Sequence, residues 1–352
     1  MNITTIGIDI AKNVFQVHGV DAKGHVALRR RLSRRQFLTY FSNLKCHLIG
    51  MEACAGAHYW SRELQSLGHR VRLMPPQYVK PYVKRNKNDR NDAEAICEAV
   101  TRPSMRFVSI KSKEQQSMLV LHRSRELFVR QKTMLANALR GHMSEFGVVV
   151  PQGIQNIDRL SRIIHDPDDE TLPYMAREIL EILLKQLREI QEEIKEIELR
   201  LVAWHRTSEA SCRLATIPGI GPITATALMA TVGDLGEFKS GRQFAAWIGL
   251  TPREHSSCGK QKPGSISKRG DGYLRRLLIH GARTVVRWHK NKDDNISLWL
   301  KNISERRHSN VVTTALANKT ARTVWALMVK GEVFKSTRPG CHAIGRNETL
   351  GS

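Results

Sequence analysis

The first hundred residues alternate short apolar runs with turns and amphipathic segments, and this alternation limits the chain to few folds. Residues 4–9, 13–20 and 25–32 are rich in β-branched and apolar side chains and are separated by short turns. They are therefore predicted to be three successive strands. Helices and strands then alternate, with further strands predicted over 47–52 and 69–74. The expected order of elements is βββαβαβα.

This order is that of the ribonuclease H-like fold, a mixed α/β sheet, and acidic residues fall at the ends of its predicted elements. Asp9 closes the first strand and Glu52 the fourth, and Asp89 and Asp92 lie one turn apart at the start of the following helix. Four such carboxylates repel one another unless a cation neutralises them, and their oxygens suit Mg²⁺ or Mn²⁺. The sequence therefore predicts a divalent-metal site, with helix capping as the plainer alternative.

The charge of the chain indicates the kind of partner it binds. Among 352 residues there are 56 Lys and Arg against 33 Asp and Glu, a net charge of +23. This excess favours a nucleic acid over the alternative of a merely soluble basic protein. The six cysteines form no CxxC pair and no Cys/His ligand spacing, which indicates reduced thiols. We recognise no signal peptide or membrane span and expect a cytoplasmic, nucleoid-associated protein.

The middle of the chain predicts a helical arm. Residues 112–143 have the pattern of one long helix, and apolar residues then recur at alternating steps of three and four. These residues are Leu180, Leu183, Leu187, Ile190, Ile194, Ile197 and Leu201. The repeat predicts a coiled coil, formed either within the chain or between subunits, against the alternative of an amphipathic helix buried in its own domain. Acids outnumber bases between residues 170 and 201, which favours an assembly element over a nucleic-acid surface.

The segment IPGIGPITATAL is typical of a helix-hairpin-helix, in which Gly219 and Gly221 let the backbone approach a phosphate. A glycine-rich turn between core helices is the alternative. Nine bases against two acids follow between residues 239 and 276, and six of these bases are candidates for phosphate contacts. The six are Lys260, Lys262, Lys268, Arg269, Arg275 and Arg276.

Ser256 and Ser257 lie within this basic segment. Adjacent serines in a loop ordinarily face solvent, but a serine attacks phosphorus where cations stabilise the developing charge. No His or Asp stands at a spacing that marks it as the serine's partner. The residues alone therefore leave both interpretations open.

Taken together, several segments resemble one family. GIDIAK, MEACAG, NDRNDAEAI, TIPGIGPITA, GLTPREHSSCGK and ISKRGDGYLRRLL resemble the DEDD transposases of the insertion-sequence 110 family, relatives of pilin-gene invertases. The resemblance implies a RuvC-like (ribonuclease H-like) catalytic domain over 1–110 and a helical, coiled-coil arm over 111–206. It also implies a mainly helical transposase domain over 207–335, with a helix-hairpin-helix and a catalytic serine loop, and a tail over 336–352.

The resemblance assigns the metal-binding acids to Asp9, Glu52, Asp89 and Asp92 and the catalytic serine to Ser257, with Ser256 less favoured. Cys258 stands where the family has glycine. The function implied is strand exchange of double-stranded DNA by a homo-oligomer, a dimer or tetramer, guided by an element-encoded non-coding RNA. The alternative is a Mg²⁺-dependent, Holliday-junction-type endonuclease in which water attacks. A non-catalytic helix-hairpin-helix protein and an actin-like kinase are further rivals.

Overall fold

The computed structural model describes residues 3–45, 47–84, 89–254, 263–289 and 294–335, and for residues 89, 154 and 263 it describes the backbone alone. The chain forms two compact units. Unit 1 comprises residues 1–116 with 232–234, and unit 2 comprises residues 117–231 with 235–352. Each unit is described by itself.

Unit 1 is a mixed five-stranded sheet with helices, in the predicted order of elements except for one short additional helix, α3. Its strands are β1 (Thr5–Ile10), β2 (Val14–Val20), β3 (Val26–Ser33), β4 (Leu48–Glu52) and β5 (Arg70–Met74). Its helices are α1 (Phe37–Ser42), α2 (Ala57–Ser66), α3 (Pro76–Val79) and α4 (Asp89–Ala99). The strand order is β3-β2-β1-β4-β5. The pairs β1–β2 and β2–β3 are antiparallel, and β1–β4 and β4–β5 are parallel.

The central strands of this sheet are buried on both faces, which explains why their sequences are almost continuously apolar. Ile6 and Ile8 of β1 and Ile49 and Met51 of β4 are fully buried. An aromatic group that includes Phe15, Phe37, Phe41 and Trp60 packs with them in one core cluster. The predicted mixed α/β sheet is confirmed.

Unit 2 is mainly helical. Its helices are α5 (Lys113–Ser144), α6 (Ile157–His165), α7 (Tyr174–Thr207), α8 (Glu209–Ala215), α9 (Pro222–Thr231), α10 (Gly241–Ile248), α11 (Gly272–Trp288), α12 (Asn295–Ser304) and α13 (Ser309–Lys330). A two-stranded antiparallel sheet pairs β6 (Pro252–Glu254) with β7 (Pro263–Ile266). Among the residues that the structure describes, no helix has the length and apolarity needed to cross a membrane.

The two long helices α5 and α7 run antiparallel. Met118, early in α5, packs in one cluster with Leu201, late in α7, whereas Met143, late in α5, packs in another with Leu180, early in α7. An ion pair between Arg125 and Glu198 joins the helices beside the first of these clusters. The apolar stripe of α7 is therefore covered within the chain, which favours the intramolecular alternative for the predicted coiled coil.

The stripe differs from the strict heptad at two predicted positions. Leu184 is buried with 1% of its surface exposed, whereas the predicted Leu183 and Ile190 are only half-buried. A straight helix drifts by about 20° per heptad relative to a 3.5-residue repeat, so the buried face moves around the helix. A second reason is that α7 packs against α6 as well as α5 at its first end.

Candidate active site

Strands β1 and β4 bring Asp9 and Glu52 to the same edge of the sheet. The strands are parallel, and Ile8 pairs with Met51 in register. Asp9 follows Ile8, and Glu52 follows Met51. The two acids are therefore neighbours on adjacent strands, about 4.8 Å apart along the hydrogen-bonding direction. Both side chains are partly buried. Their equal position in the register places the two carboxylates on the same face of the sheet.

Helix α4 covers this face at close range, because two glycines leave room for it. Gly7 lies two residues before Asp9 and therefore on the same face. A Cβ at Gly7 would lie 2.7 Å from the Cβ of Cys97, and closer still to backbone atoms of Ala93 and Cys97. A Cβ at Gly50, which pairs with Gly7, would lie 2.7 Å from the Cβ of Val100. The absence of these side chains lets α4 rest directly on the strand backbones.

The direction of α4 brings its first turn towards Asp9. The Sγ of Cys97 contacts the carbonyl oxygen of Thr5 at 3.7 Å, and Ala93 lies over Gly7, so the helix runs opposite to β1. The step from Gly7 to Asp9 is about 7 Å along the strand, which corresponds to between four and five residues of helix, or about one turn. Counting four to five residues back along the helix from the segment Ala93–Cys97 leads to the first turn of α4, which contains Asp92.

The carboxylates of Asp9 and Glu52 act on a shared neighbour. Burial, followed by the charges of Glu52 and Asp9, raises the pKa of the Cys54 thiol. Cys54 follows β4, so the negative charge of both acids reaches the same loop. Among the side chains that the structure describes, no group of three or more His, Cys, Asp or Glu is arranged to hold a metal ion. The side chain of Asp89 lies outside that set.

A histidine beside this loop is fixed in the neutral form. The backbone N–H of Lys111 donates to Nδ1 of His58 at 3.2 Å, and Arg62 Nη1 donates to the carbonyl oxygen of Lys111 at 2.6 Å. Burial and the charges of Lys111 and Arg62 lower the pKa of His58 to about 4. His58 therefore ties α2 to the segment after α4 and carries no charge at neutral pH.

The predicted serine segment lies between β6 and β7. Pro252 pairs with Ile266 and Glu254 with Pro263, so the two ends of the segment are held side by side. Ser256, Ser257, Lys260, Lys262 and Cys258 lie outside the described residues.

The remaining predicted phosphate contacts follow β7, and the structure divides them into two pairs. Lys268 and Arg269 are exposed, and Lys268 has a positive φ of 54°. Arg275 Nη1 donates to the carbonyl oxygens of Ile248 at 2.9 Å and Arg269 at 3.0 Å, which ties the turn before α11 to the end of α10. Arg276 forms an ion pair with Glu126 of α5. Arg275 and Arg276 thus have structural roles, and their phosphate contacts stay predictions.

The predicted helix-hairpin-helix corresponds to α8, a glycine turn and α9. Gly219 has a φ of +86°, and a Cβ there would lie 2.8 Å from the carbonyl oxygen of Gly281 in α11. Its lack of a side chain is therefore required by packing within unit 2. No atom of the described chain lies within 4 Å of the Cβ position of Gly221. Of the two predicted phosphate-binding glycines, Gly221 has open space beside it.

One basic edge strand was not predicted from the sequence. The exposed residues Arg29, Arg30 and Arg31 lie on β3, which is an edge strand of the sheet. The guanidinium of Arg30 lies 5.3 Å from the ring centroid of Tyr40. Three consecutive arginines in a predicted strand were the available signal, because strands with charged residues on both faces are commonly sheet edges.

Both halves of the chain match family models. Residues 6–147 match a transposase model of the DEDD type of the IS110 family, and residues 211–296 match the transposase family IS116/IS110/IS902. The first range contains the four acids and the second contains the glycine turn and the serine segment. A protein of Pseudomonas aeruginosa named "Probable family 20 transposase" is 49% identical over 97% of this chain and 100% of its own length. The chain belongs to the IS110 family of transposases.

Two other relatives extend the comparison. The transposase for insertion sequence element IS1111A of Coxiella burnetii is 44% identical over 95% of this chain and 92% of its own length. A pilin gene-inverting protein of Moraxella bovis is 26% identical, over 81% of this chain and 84% of its own. The predicted resemblance is therefore confirmed, and so is the class of enzyme: transposases cut and rejoin DNA.

Proposed function

We propose that this transposase excises and inserts its own element with a divalent-metal site at Asp9, Glu52, Asp89 and Asp92 and a serine nucleophile, Ser257. The observation that carries the metal site is the register of β1 and β4, which makes Asp9 and Glu52 neighbours at one strand end. The packing of α4 on Gly7 supports the contribution of Asp92, because it brings the first helical turn to that end.

The residues of this site fit Mg²⁺ or Mn²⁺. Their donors are carboxylate oxygens, which hard divalent cations prefer, and the neighbouring loop offers only the thiol of Cys54, which such cations bind poorly. When bound, the metal supplies Lewis-acid stabilisation of phosphate charge. Asp9 and Glu52, as fixed neighbours, would orient the scissile phosphate at the strand ends. Asp89 and Asp92 would close the site from the helix.

The serine is proposed for the second half of the reaction centre. Ser257 Oγ would lose its proton and attack phosphorus. The bond from phosphorus to the leaving 3′ or 5′ oxygen would break, and that oxygen would take up a proton to become a hydroxyl, so one phosphodiester replaces another. The pairing of β6 with β7 supports this, because it would hold the segment with its two ends fixed. Lys260, Lys262, Lys268 and Arg269 would neutralise phosphate charge, with the glycine turn contacting backbone phosphates through Gly221.

The proposal includes a homo-oligomer, a dimer or tetramer, working in the bacterial cytoplasm at the nucleoid. It also includes an element-encoded RNA that selects the DNA. The net charge of +23 supports a nucleic-acid partner and permits an RNA beside the DNA. Sequencing the RNA that co-purifies with the protein tests the guide. Full recombination by nuclease-treated protein on synthetic DNA would argue against it.

The chemistry is tested with Asp9→Asn, Ser257→Ala and Ser256→Ala variants on DNA carrying the element ends. Asp168→Asn, an exposed acid of the arm, is the matched control. We expect Asp9→Asn and Ser257→Ala to abolish strand exchange while DNA binding stays within a few-fold. Chelation of divalent metal should stop strand exchange by the wild type, and added Mg²⁺ should restore it.

The rival endonuclease, in which water attacks, is separated by trapping the intermediate in denaturant. The serine mechanism requires a covalent protein–DNA adduct that forms with the wild type and Ser256→Ala and is missing with Ser257→Ala. Metal-dependent cleavage that survives Ser257→Ala and leaves no adduct would establish water attack instead. An adduct that persists in Ser257→Ala but is lost in Ser256→Ala would move the nucleophile by one residue.

A further inference from the structure

One face of α11 is only partly covered by the glycine turn. Gly281, Val285 and Trp288 lie at steps of four and three along this helix, so they share a face. The turn packs on the first two, because a Cβ at Gly219 would lie 2.8 Å from the carbonyl oxygen of Gly281 and 3.1 Å from Cγ2 of Val285. Trp288 lies one turn beyond and remains 63% exposed.

Trp288 borders a cavity. The space measures about 330 Å³ and is lined by Pro218, Gly219, Thr284, Val285, Trp288 and the start of α12, among others. That volume lies at the lower end of the range for small-molecule sites, about 300–1,000 Å³. An indole with most of its surface in solvent, at the mouth of such a cavity, offers a flat apolar face to a planar ligand.

Positive charge follows the exposed side of α11 to the tryptophan. Arg276, His280, Arg283 and Arg287 recur at steps of four, three and four, and the helix contains no acid. The guanidinium of Arg287 lies 5.7 Å from the ring centroid of Trp288. Within the described part of the chain, neither Arg283 nor Arg287 forms an ion pair, whereas Arg276 is paired with Glu126. The row therefore ends in two exposed guanidinium groups, and that of Arg287 lies beside the aromatic platform.

We propose that Trp288 and the cavity beside it hold the base of an unpaired DNA nucleotide, with Arg283 and Arg287 against the flanking phosphates. This rests on the proposed function only in that DNA is the substrate. The two cations favour a nucleotide over an apolar protein segment. The phosphates of a nucleotide can pair with them, whereas an apolar segment has no charged group that can. Inside a duplex a paired base has both faces stacked, so away from duplex ends the indole can stack only on an unpaired base. Strand exchange supplies such nucleotides.

The experiment measures binding of a fluorescent oligothymidine and of a duplex of equal length, without divalent metal. We expect Trp288→Ala to weaken oligothymidine binding by about 5- to 150-fold, the range for losing one base–aromatic stack, and to leave duplex binding within about two-fold. Trp288→Phe should retain most of the affinity. Tyr174→Ala, which removes an aromatic side chain 74% exposed on α7, is the matched control and should bind as the wild type does.

Equal losses for oligothymidine and duplex, or no loss in Trp288→Ala, would overturn the inference, as would failure of the wild type to bind oligothymidine. The same measurement is made with oligouridine, and an effect confined to oligouridine would make RNA the ligand and refute the DNA assignment. Thermal melting checks that each variant folds. Because no metal is present and Ser257 takes no part, this result is separate from the proposed chemistry, which is tested by strand exchange in Asp9→Asn and Ser257→Ala and by the trapped adduct.

Discussion

Replacing Gly7 with alanine tests whether the contact between α4 and the sheet positions the acids. The added Cβ would meet the Cβ of Cys97 at 2.7 Å and backbone atoms of Ala93 and Cys97 at shorter range. Backbone atoms cannot rotate away, so the helix itself must move. Real Cβ contacts are rarely shorter than 3.4 Å, and the required displacement is therefore about 1 Å.

Such a displacement has a stability cost and a catalytic cost. Overpacking of a close contact costs about 1–3 kcal/mol, which lowers the Tm of unit 1 by several degrees. A shift of about 1 Å in a reacting geometry reduces a rate by about 100-fold. We therefore expect Gly7→Ala to fold and to melt at a lower temperature than the wild type. Its strand-exchange rate should fall much more than its fraction of folded protein.

The assay compares Gly7→Ala with Gly141→Ala by strand exchange at a temperature where both are folded. Gly141 lies in α5, and no atom of the described chain is within 4 Å of its Cβ position. Alanine there should stabilise the helix by about 1 kcal/mol and leave exchange unchanged. If Gly7→Ala exchanges strands at the wild-type rate with an unchanged Tm, the close packing of α4 does not position the acids.

Three further predictions concern unit 2. Burial, with the charges of Arg125 and Arg123, lowers the pKa of His122 from 6.5 to about 4. The unfolded chain therefore binds more protons between these two pKa values. The free energy of unfolding should fall by up to about 3 kcal/mol as the pH drops from 6.5 to about 4. In urea unfolding, His122→Gln should abolish most of that fall, and a variant with the pH profile of the wild type would contradict the role of His122. Asp271 accepts hydrogen bonds from Tyr273 N at 2.8 Å and Leu274 N at 3.0 Å. Asp271→Ala should therefore cost about 1 kcal/mol and Asp271→Asn much less, unless the cap contributes nothing. Leu187→Ala should cost about 2–5 kcal/mol in the same assay, because Leu187 is fully buried, and the exposed Leu199→Ala should cost almost nothing. Equal losses at the two leucines would contradict the burial of the α7 stripe within the chain.

The sequence predicted the sheet well, because strand signals depend on local patterns. The predicted strands that contain Asp9 and Glu52 end within one residue of β1 and β4. The parallel pairing of these strands is compatible with the predicted element order, since a helix separates them in the chain. The coiled-coil seam was predicted less well, because Leu183 and Leu184 are adjacent leucines and only the positions of α5 and α6 decide which one is buried.

Roles within the basic segment could not be read from the sequence. Arg269, Arg275 and Arg276 belong to one run of cations, yet Arg275 binds backbone carbonyls and Arg276 binds Glu126, some 150 residues earlier. Likewise, Gly219 and Gly221 are equivalent in the motif, but only Gly219 lies against Gly281. Contacts between residues far apart in the chain leave no signal in the local spacing of one sequence.

By itself the sequence determined the order of strands and helices, the basic character of the chain and the acids that end its core strands. These follow from periodicity and composition, which each segment carries independently of the rest. Three features were decided by the tertiary structure alone. Gly7 and Gly50 leave room for α4, the apolar stripe of α7 is buried within the chain, and Trp288 stays exposed beside a cavity. The physical reason is that close packing depends on which distant surfaces meet, and a residue type fixes its own size and charge but not its neighbours.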